Sequence, residues 1–77
     1  MKTTEQFLED HKADSYEQLA VIKAKIIDDL EAITKGLIRY DKNIKPTPEE
    51  IYNSEKDYLV ALESLLDKKY IEEYIAN

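Results

Sequence analysis

The chain contains no cysteine, and among its 77 residues it has one glycine, two prolines and one histidine. Without cysteine, neither a disulfide framework nor a thiolate metal site can form. The single histidine argues against a zinc site within one chain, and the single glycine excludes a glycine-rich phosphate loop. So few turn residues also argue against a β-rich fold. We therefore expect no metal and no cofactor.

The sequence also lacks a long uncharged apolar run. The first residues alternate between charged and polar side chains and do not resemble a signal peptide. No apolar stretch approaches the length needed to cross a bilayer. These absences, together with the missing cysteines, predict a cytoplasmic protein with no membrane contact.

Residues that could perform catalysis are scarce. Ser15, Ser54 and Ser64 have only His11 as a conceivable general base, and His11 is surrounded in sequence by acidic residues of the kind found at helix ends. Paired acids occur at adjacent positions such as Asp28-Asp29, which point about 100° apart on a helix and do not face each other. We expect no catalytic residues and no enzymatic activity.

The chain does have two apolar stripes with helical spacing. Each step in the first stripe is three or four residues, which places all of its side chains on one helix face. The second stripe is flanked by further apolar residues. The first consists of Leu19, Ile22, Ile26, Leu30, Ile33, Leu37 and Tyr40, and the second of Ile51, Tyr58, Leu62 and Leu65, flanked by Tyr52, Leu59, Leu66 and Tyr70.

Capping signals set the helix boundaries. Thr3 and Ser15 each have a glutamine three residues later, and Thr47 is followed by Pro48 and by Glu50 at the position that completes a capping box. The expected helices are 4–12, 16–41 and 48–75. We predict a single all-α domain over 1–77: a long antiparallel helical hairpin plus a short N-terminal helix. This three-helix arrangement could become a four-helix bundle on dimerisation.

Two positions leave the helix boundaries open. Gly36 could end the second helix, but the apolar stripe stays in phase across it, so we expect the helix to continue to residue 41. In the third helix, Ile71 and Ile75 point away from the main stripe. Either that helix breaks near Asp67-Lys69, or it is continuous and its last turns bury a second face against another element.

Two glutamates, Glu55 and Glu73, fall close to the apolar face of the third helix. If they are buried they need partners. Lys23 and Lys69 lie near apolar faces too and are candidate partners, although long side chains can instead extend along the surface to solvent.

The formal net charge is −6, but residues 32–48 are basic. We call their four cationic side chains the basic segment: Lys35, Arg39, Lys42 and Lys45. An acidic protein with one basic segment does not have the clustered cations of a general nucleic-acid binder, and we do not expect direct nucleic-acid binding. Lysines near a helix C-terminus also have a simple explanation in the helix dipole. A nucleic-acid-linked accessory role for this segment remains the alternative function.

The aromatic composition favours a protein partner. There are six tyrosines, one phenylalanine and no tryptophan, and tyrosine suits half-buried sites and protein interfaces. The expected partner-binding residues are Tyr52, Tyr70 and Tyr74 with Ile71 and Ile75, together with the four cations of the basic segment. We predict a small acidic module that inhibits, adapts or regulates a larger protein, a format that mobile genetic elements use against host machinery. The exposed isoleucines also predict a homodimer.

Overall fold

The structure is a computed structural model that describes residues 2–36 and 45–76. It contains helix α1 (Thr4–His11), helix α2 (Tyr16–Thr34) and helix α3 (Pro48–Tyr70), which runs on into a π-helical turn (Ile71–Ile75). No strand occurs in the described part of the chain. The predicted all-α hairpin with a short N-terminal helix is confirmed, and α1, α2 and α3 begin where the capping signals placed them.

The three helix starts use the predicted caps. Thr3 and Ser15 each form a complete capping box with the glutamine three residues later. At α3, the Thr47 hydroxyl accepts from the Glu50 backbone N–H at 3.2 Å, and Pro48 occupies the first turn. The Glu50 carboxylate does not complete this box as expected, because it accepts from Lys45 Nζ at 2.9 Å.

The core lies between α2 and α3, with α1 packed against α3. Its buried side chains are Phe7, Leu19, Ile26, Leu62 and Leu66. Members of both predicted stripes, including Ile22, Leu30, Tyr58 and Leu65, are half-buried against this core. The Phe7 ring stacks on Tyr58 with centroids 4.7 Å apart, which fixes α1 on α3. Leu37 and Tyr40 lie outside the described residues.

The prediction that α2 continues through Gly36 is wrong. The helix ends at Thr34, Lys35 is the C-cap, and Gly36 has φ +71. The Gly36 backbone N–H donates to the Ile33 carbonyl at 3.1 Å, so the chain turns there. Glycine enters the left-handed region without the steric penalty of a side chain, and this outweighed the apolar phase beyond it. The rest of the expected helix, residues 37–41, lies outside the described residues.

The third helix does not break near Asp67-Lys69. It stays helical to Ile75, but its last turn is wider, with the Ala76 N–H donating to the Ile71 carbonyl at 2.7 Å. This bond spans five residues, as in a π-helix. Because a π turn holds more residues than an α turn, side chains after Tyr70 lag behind their α-helical positions. Within the described residues no helix combines the length and apolarity needed to cross a membrane.

Candidate partner-binding surface

Three tyrosines meet where α2 begins and α3 ends. The ring centroids of Tyr16 and Tyr70 are 5.6 Å apart, those of Tyr16 and Tyr74 are 5.7 Å apart, and those of Tyr70 and Tyr74 are 5.2 Å apart. Tyr16 meets the other two edge-on, a favoured geometry for aromatic pairs. With Ile71 and Ile75, these rings make up what we call the tyrosine surface.

The π turn and the cap of α2 hold this cluster together. The Glu73 carboxylate accepts from the Tyr16 backbone N–H at 2.8 Å, a contact between residues 57 positions apart. Tyr16 is the first residue of α2, where N–H groups lack helical partners and the helix dipole favours a carboxylate. Glu73 therefore fastens the last turn of the chain to the start of α2.

The tyrosine surface is open to solvent. Tyr70 and Tyr74 are 45% and 54% exposed, and Ile71 and Ile75 are 51% and 64% exposed. Such a concentration of large apolar side chains is typical of an interaction site, whereas scattered exposed residues need no explanation. A break near Asp67-Lys69 would have folded Ile71 and Ile75 back onto the hairpin, and a continuous helix was expected to bury them against another element. The helix is continuous, and both isoleucines are exposed within this chain.

An open cleft of about 490 Å³ adjoins the tyrosines. We call it the tyrosine cleft, and its lining residues are Tyr16, Lys23, Glu63, Leu66, Asp67 and Tyr70. Lys23 Nζ lies 3.8 Å from the Glu63 carboxylate, too far for a hydrogen bond. The Asp67 side chain has no hydrogen bond or ion pair within residues 2–36 and 45–76. The cleft thus combines aromatic rings with an uncompensated carboxylate.

The phenol of Tyr74 lies in a negative environment. Desolvation raises its pKa, and the nearby Glu17 and Glu73 carboxylates raise the pKa further. Like an ordinary tyrosine, Tyr74 is protonated at neutral pH and keeps its O–H as a hydrogen-bond donor. The tyrosine surface accordingly offers apolar area, hydroxyl donors and negative charge together.

Of the residues predicted for partner binding, the structure brings some together and separates others. Tyr70, Tyr74, Ile71 and Ile75 share one end of the molecule. Tyr52 does not join them: it is half-buried in the first turns of α3, roughly 27 Å along the helix from Tyr70 at 1.5 Å per residue. Sequence reasoning missed Tyr16, which was assigned only as the start of a helix.

The structure describes two of the four cations in the basic segment, Lys35 and Lys45. Lys35 Nζ lies 3.9 Å from the Glu31 carboxylate, and Lys45 Nζ lies 2.9 Å from Glu50. Both lysines are exposed, and each has a carboxylate nearby that offsets its charge. Arg39 and Lys42 lie outside the described residues.

A carboxyl pair lies between α2 and α3. One oxygen of the Glu55 carboxyl, Oε2, is buried without a hydrogen-bond partner among the described atoms. Desolvation by burial and then the neighbouring Asp29 carboxylate raise the pKa of Glu55 to about 7, although Lys25 acts in the opposite direction. Neither expected lysine pairs with Glu55: Lys23 lies near Glu63, and Lys69 lies 4.0 Å from Glu72.

A second, shallower groove of about 420 Å³ runs between α1 and α3. Its apolar floor includes Leu8, Ala61 and Leu65, and its rim carries charges of both signs. Ser64 also lines it, but no histidine is among its described lining residues. The described residues also contain no group of three or more histidine or carboxylate side chains positioned to hold a metal ion.

Comparison with known proteins finds no matching family model, no matching curated protein and no matching solved structure.

Proposed function

We propose that this protein is a small acidic binding module that inhibits, adapts or regulates a larger protein through the tyrosine surface. The single observation that supports this most is the exposure of Tyr70, Ile71, Tyr74 and Ile75 in one contiguous segment at one end of the molecule. Interfaces are enriched in tyrosine, and an exposed apolar group with a polar rim is their usual form.

The rigidity of this surface also supports the proposal. The Tyr16 and Tyr74 rings are in edge contact, and Glu73 ties the turn that carries them to the start of α2. A surface whose aromatic side chains are already ordered loses less conformational entropy when it binds. Binding, rather than catalysis, is the activity that such an arrangement supports.

The test is capture of a partner by the immobilised chain, compared between two matched variants. Ile75 and Val21 are exposed apolar residues of similar accessibility, at 64% and 70%, but only Ile75 belongs to the tyrosine surface. We expect the parent chain and Val21→Ser to retain one stoichiometric protein from a lysate of the source cells, and Ile75→Ser to lose it.

Circular dichroism should show that both variants keep the helical content of the parent chain. Retention of the same protein by Ile75→Ser, or no stoichiometric protein with the parent chain, would contradict the proposal. The nucleic-acid alternative has less support, since the two described lysines of the basic segment already lie beside carboxylates. A gel shift at low salt that depends on the basic segment would favour it.

A further inference from the structure

The tyrosine cleft has the chemistry of a site for a cation. Glu63 and Asp67 are four residues apart on α3 and both line it, so their carboxylates lie on one helix face. Tyr16 and Tyr70 line the same cleft, and the face of a tyrosine ring attracts a cation within about 6 Å. Carboxylates beside aromatic rings favour an organic cation over a bare metal ion.

We propose that the tyrosine cleft binds an arginine side chain from a positively charged segment of the partner protein. This inference rests on the proposed function, because it identifies the chemistry of the partner that the tyrosine surface binds. A guanidinium group is planar, donates two parallel hydrogen bonds to a carboxylate and stacks on aromatic rings. Asp67 supplies the carboxylate, and Tyr16 and Tyr70 supply the aromatic rings.

Charge complementarity distinguishes this occupant from a second copy of the chain. The protein has a net charge of −6, and carboxylates of Glu17 and Glu73 lie close to Tyr74, beside the cleft. A second acidic copy would place its own carboxylates against those that line the cleft, which makes it a poor occupant of the cleft. A positively charged segment of the partner protein is attracted instead, and the negative electrostatic field of this surface accelerates its association.

One cation already lies in the cleft. Lys23 Nζ is 3.8 Å from Glu63, and the Lys23 side chain is part-exposed. At this distance the contact is a loose ion pair of low strength. An incoming guanidinium would therefore compete with Lys23 for Glu63 but would meet no competitor among the described residues at Asp67.

The proposal can be tested with the full chain and two short probes. The first is a blocked tripeptide amide, alanine-arginine-alanine, and the second replaces arginine with citrulline, which has the same shape without the charge. In a nuclear magnetic resonance titration, we expect the arginine peptide to shift resonances of Tyr16, Tyr70 and Asp67. The citrulline peptide should leave them unchanged.

Three variants refine the test. Asp67→Asn should weaken binding of the arginine peptide by about tenfold, as expected for one lost charge-assisted hydrogen bond. Lys23→Gln should strengthen it about two- to threefold by removing the competing cation. Asp57→Asn removes the same charge at an exposed position of α3 outside the cleft, and it should leave binding close to that of the parent chain.

Equal shifts with citrulline, shifts spread over all acidic side chains, or no binding would overturn the arginine site. Equal weakening by Asp67→Asn and Asp57→Asn would overturn it too, since the effect would then be one of net charge. These failures differ from failure of the proposed function. A partner captured through Ile75 but insensitive to Asp67→Asn would leave the tyrosine surface supported without the arginine site.

Discussion

Ile26 and Ile27 are neighbours on α2 with different environments. Ile26 is 6% exposed within the core, and Ile27 is 36% exposed. We expect Ile26→Ala to lower the free energy of unfolding by about 2–4 kcal/mol, through lost burial and the cavity that remains. For Ile27→Ala we expect a loss below about 1 kcal/mol. Urea denaturation of both variants measures the difference.

These two variants control for each other because both replace isoleucine with alanine in the same helix. The gain in helix propensity is shared, so the difference between the variants reports burial. Equal losses of stability would contradict the assignment of Ile26 to the core. A loss at the upper end of the range would approach the total stability of a domain this small.

The carboxyl group of Glu55 makes stability depend on pH. Its pKa in the folded protein is about 7, against an ordinary value of 4.5. A raised pKa means that folding favours the protonated form. The stabilising contribution is therefore complete below about pH 4.5 and is lost as the pH rises through about 7.

We expect the melting temperature to fall by a few degrees between about pH 5 and pH 8, and Glu55→Gln to remove most of this fall. The variant should also be more stable than the parent chain at pH 8, because it has no carboxylate facing Asp29. Asp57→Asn is the control for net charge.

The pKa values of Asp10 and Glu50 are lowered by Lys2 and Lys45, so those groups change charge at a more acidic pH than Glu55 does. A pH dependence that Glu55→Gln and Asp57→Asn reduce equally would disprove the role of Glu55.

The sequence located Glu55 near the apolar face but not its neighbour. The position of a side chain around a helix follows from spacing within that helix. The partner across the helix interface depends on the axial offset between α2 and α3, which periodicity does not report. Lys23 and Lys69 were therefore only candidate partners for Glu55 and Glu73. In the structure, Asp29 lies beside Glu55, and the Tyr16 backbone N–H donates to the Glu73 carboxylate.

At the scale of the elements, Gly36 decides where α2 ends. Its φ of +71 would strain any residue with a β-carbon, although no atom lies within 4 Å of the position that such a carbon would take. We expect Gly36→Ala to destabilise the protein by about 1–2 kcal/mol, entirely through the backbone. Gly36→Asn should lose less, because asparagine tolerates this conformation. Thermal unfolding of both variants measures this.

The sign of the Gly36→Ala effect separates two structures of this segment. In a continuous helix, replacing an interior glycine with alanine would raise stability by about 1 kcal/mol. A higher melting temperature for Gly36→Ala would therefore contradict the turn at Gly36 and support the continuous helix that the apolar stripe predicted.

Helix starts could be predicted from the sequence, whereas the end of α2 and the π turn that ends α3 could not. Thr3, Ser15 and Thr47 act through contacts within three residues, so the local sequence contains the whole signal. At Gly36 two local signals conflicted, and the preference of glycine for positive φ prevailed. The π turn at Ile71–Ile75 carries Glu73 and Tyr74, which contact Tyr16 more than fifty residues away, and such long-range contacts leave no local signal.

At the scale of the molecule, the long and thin shape leaves apolar area uncovered. The principal extents are 50 × 23 × 14 Å, and Val60 and Ile71 are both exposed. We expect the chain to form a two-fold dimer through Val60, Ile71 and Ile75 when it has no other partner. Sedimentation equilibrium should then give a mass near twice 9.0 kDa that falls on dilution.

Val60→Ser is the informative variant, and Val21→Ser is its control. Val60 lies on α3 away from the tyrosine cleft, so its replacement should weaken the dimer without affecting the arginine site. A mass of 9.0 kDa at every concentration would exclude the dimer. Because Ile75 belongs to both surfaces, a protein partner and a second copy should exclude each other.

The tyrosine surface was predicted only in part, because it depends on contacts between two helices. Tyr70, Ile71, Tyr74 and Ile75 are close in sequence, and helical spacing predicted that Ile71 and Ile75 point away from the main stripe. Tyr16 completes the cluster through contacts across the whole chain, and Tyr52 is excluded by its distance along α3. Both outcomes depend on how the ends of two helices align, which neither composition nor periodicity determines.

The π turn makes the C-terminal segment sensitive to the winding of its backbone in a way that its exposed side chains are not. Its backbone hydrogen bond spans five residues, where an α-helical bond spans four. If the last turn closed as an α-helix at the same chain length, every side chain after Tyr70 would advance around the helix axis. Tyr74 would then move away from Tyr16, and Glu73 would move away from the start of α2. Substitutions on this surface alter its chemistry, whereas rewinding the last turn would rearrange the surface itself.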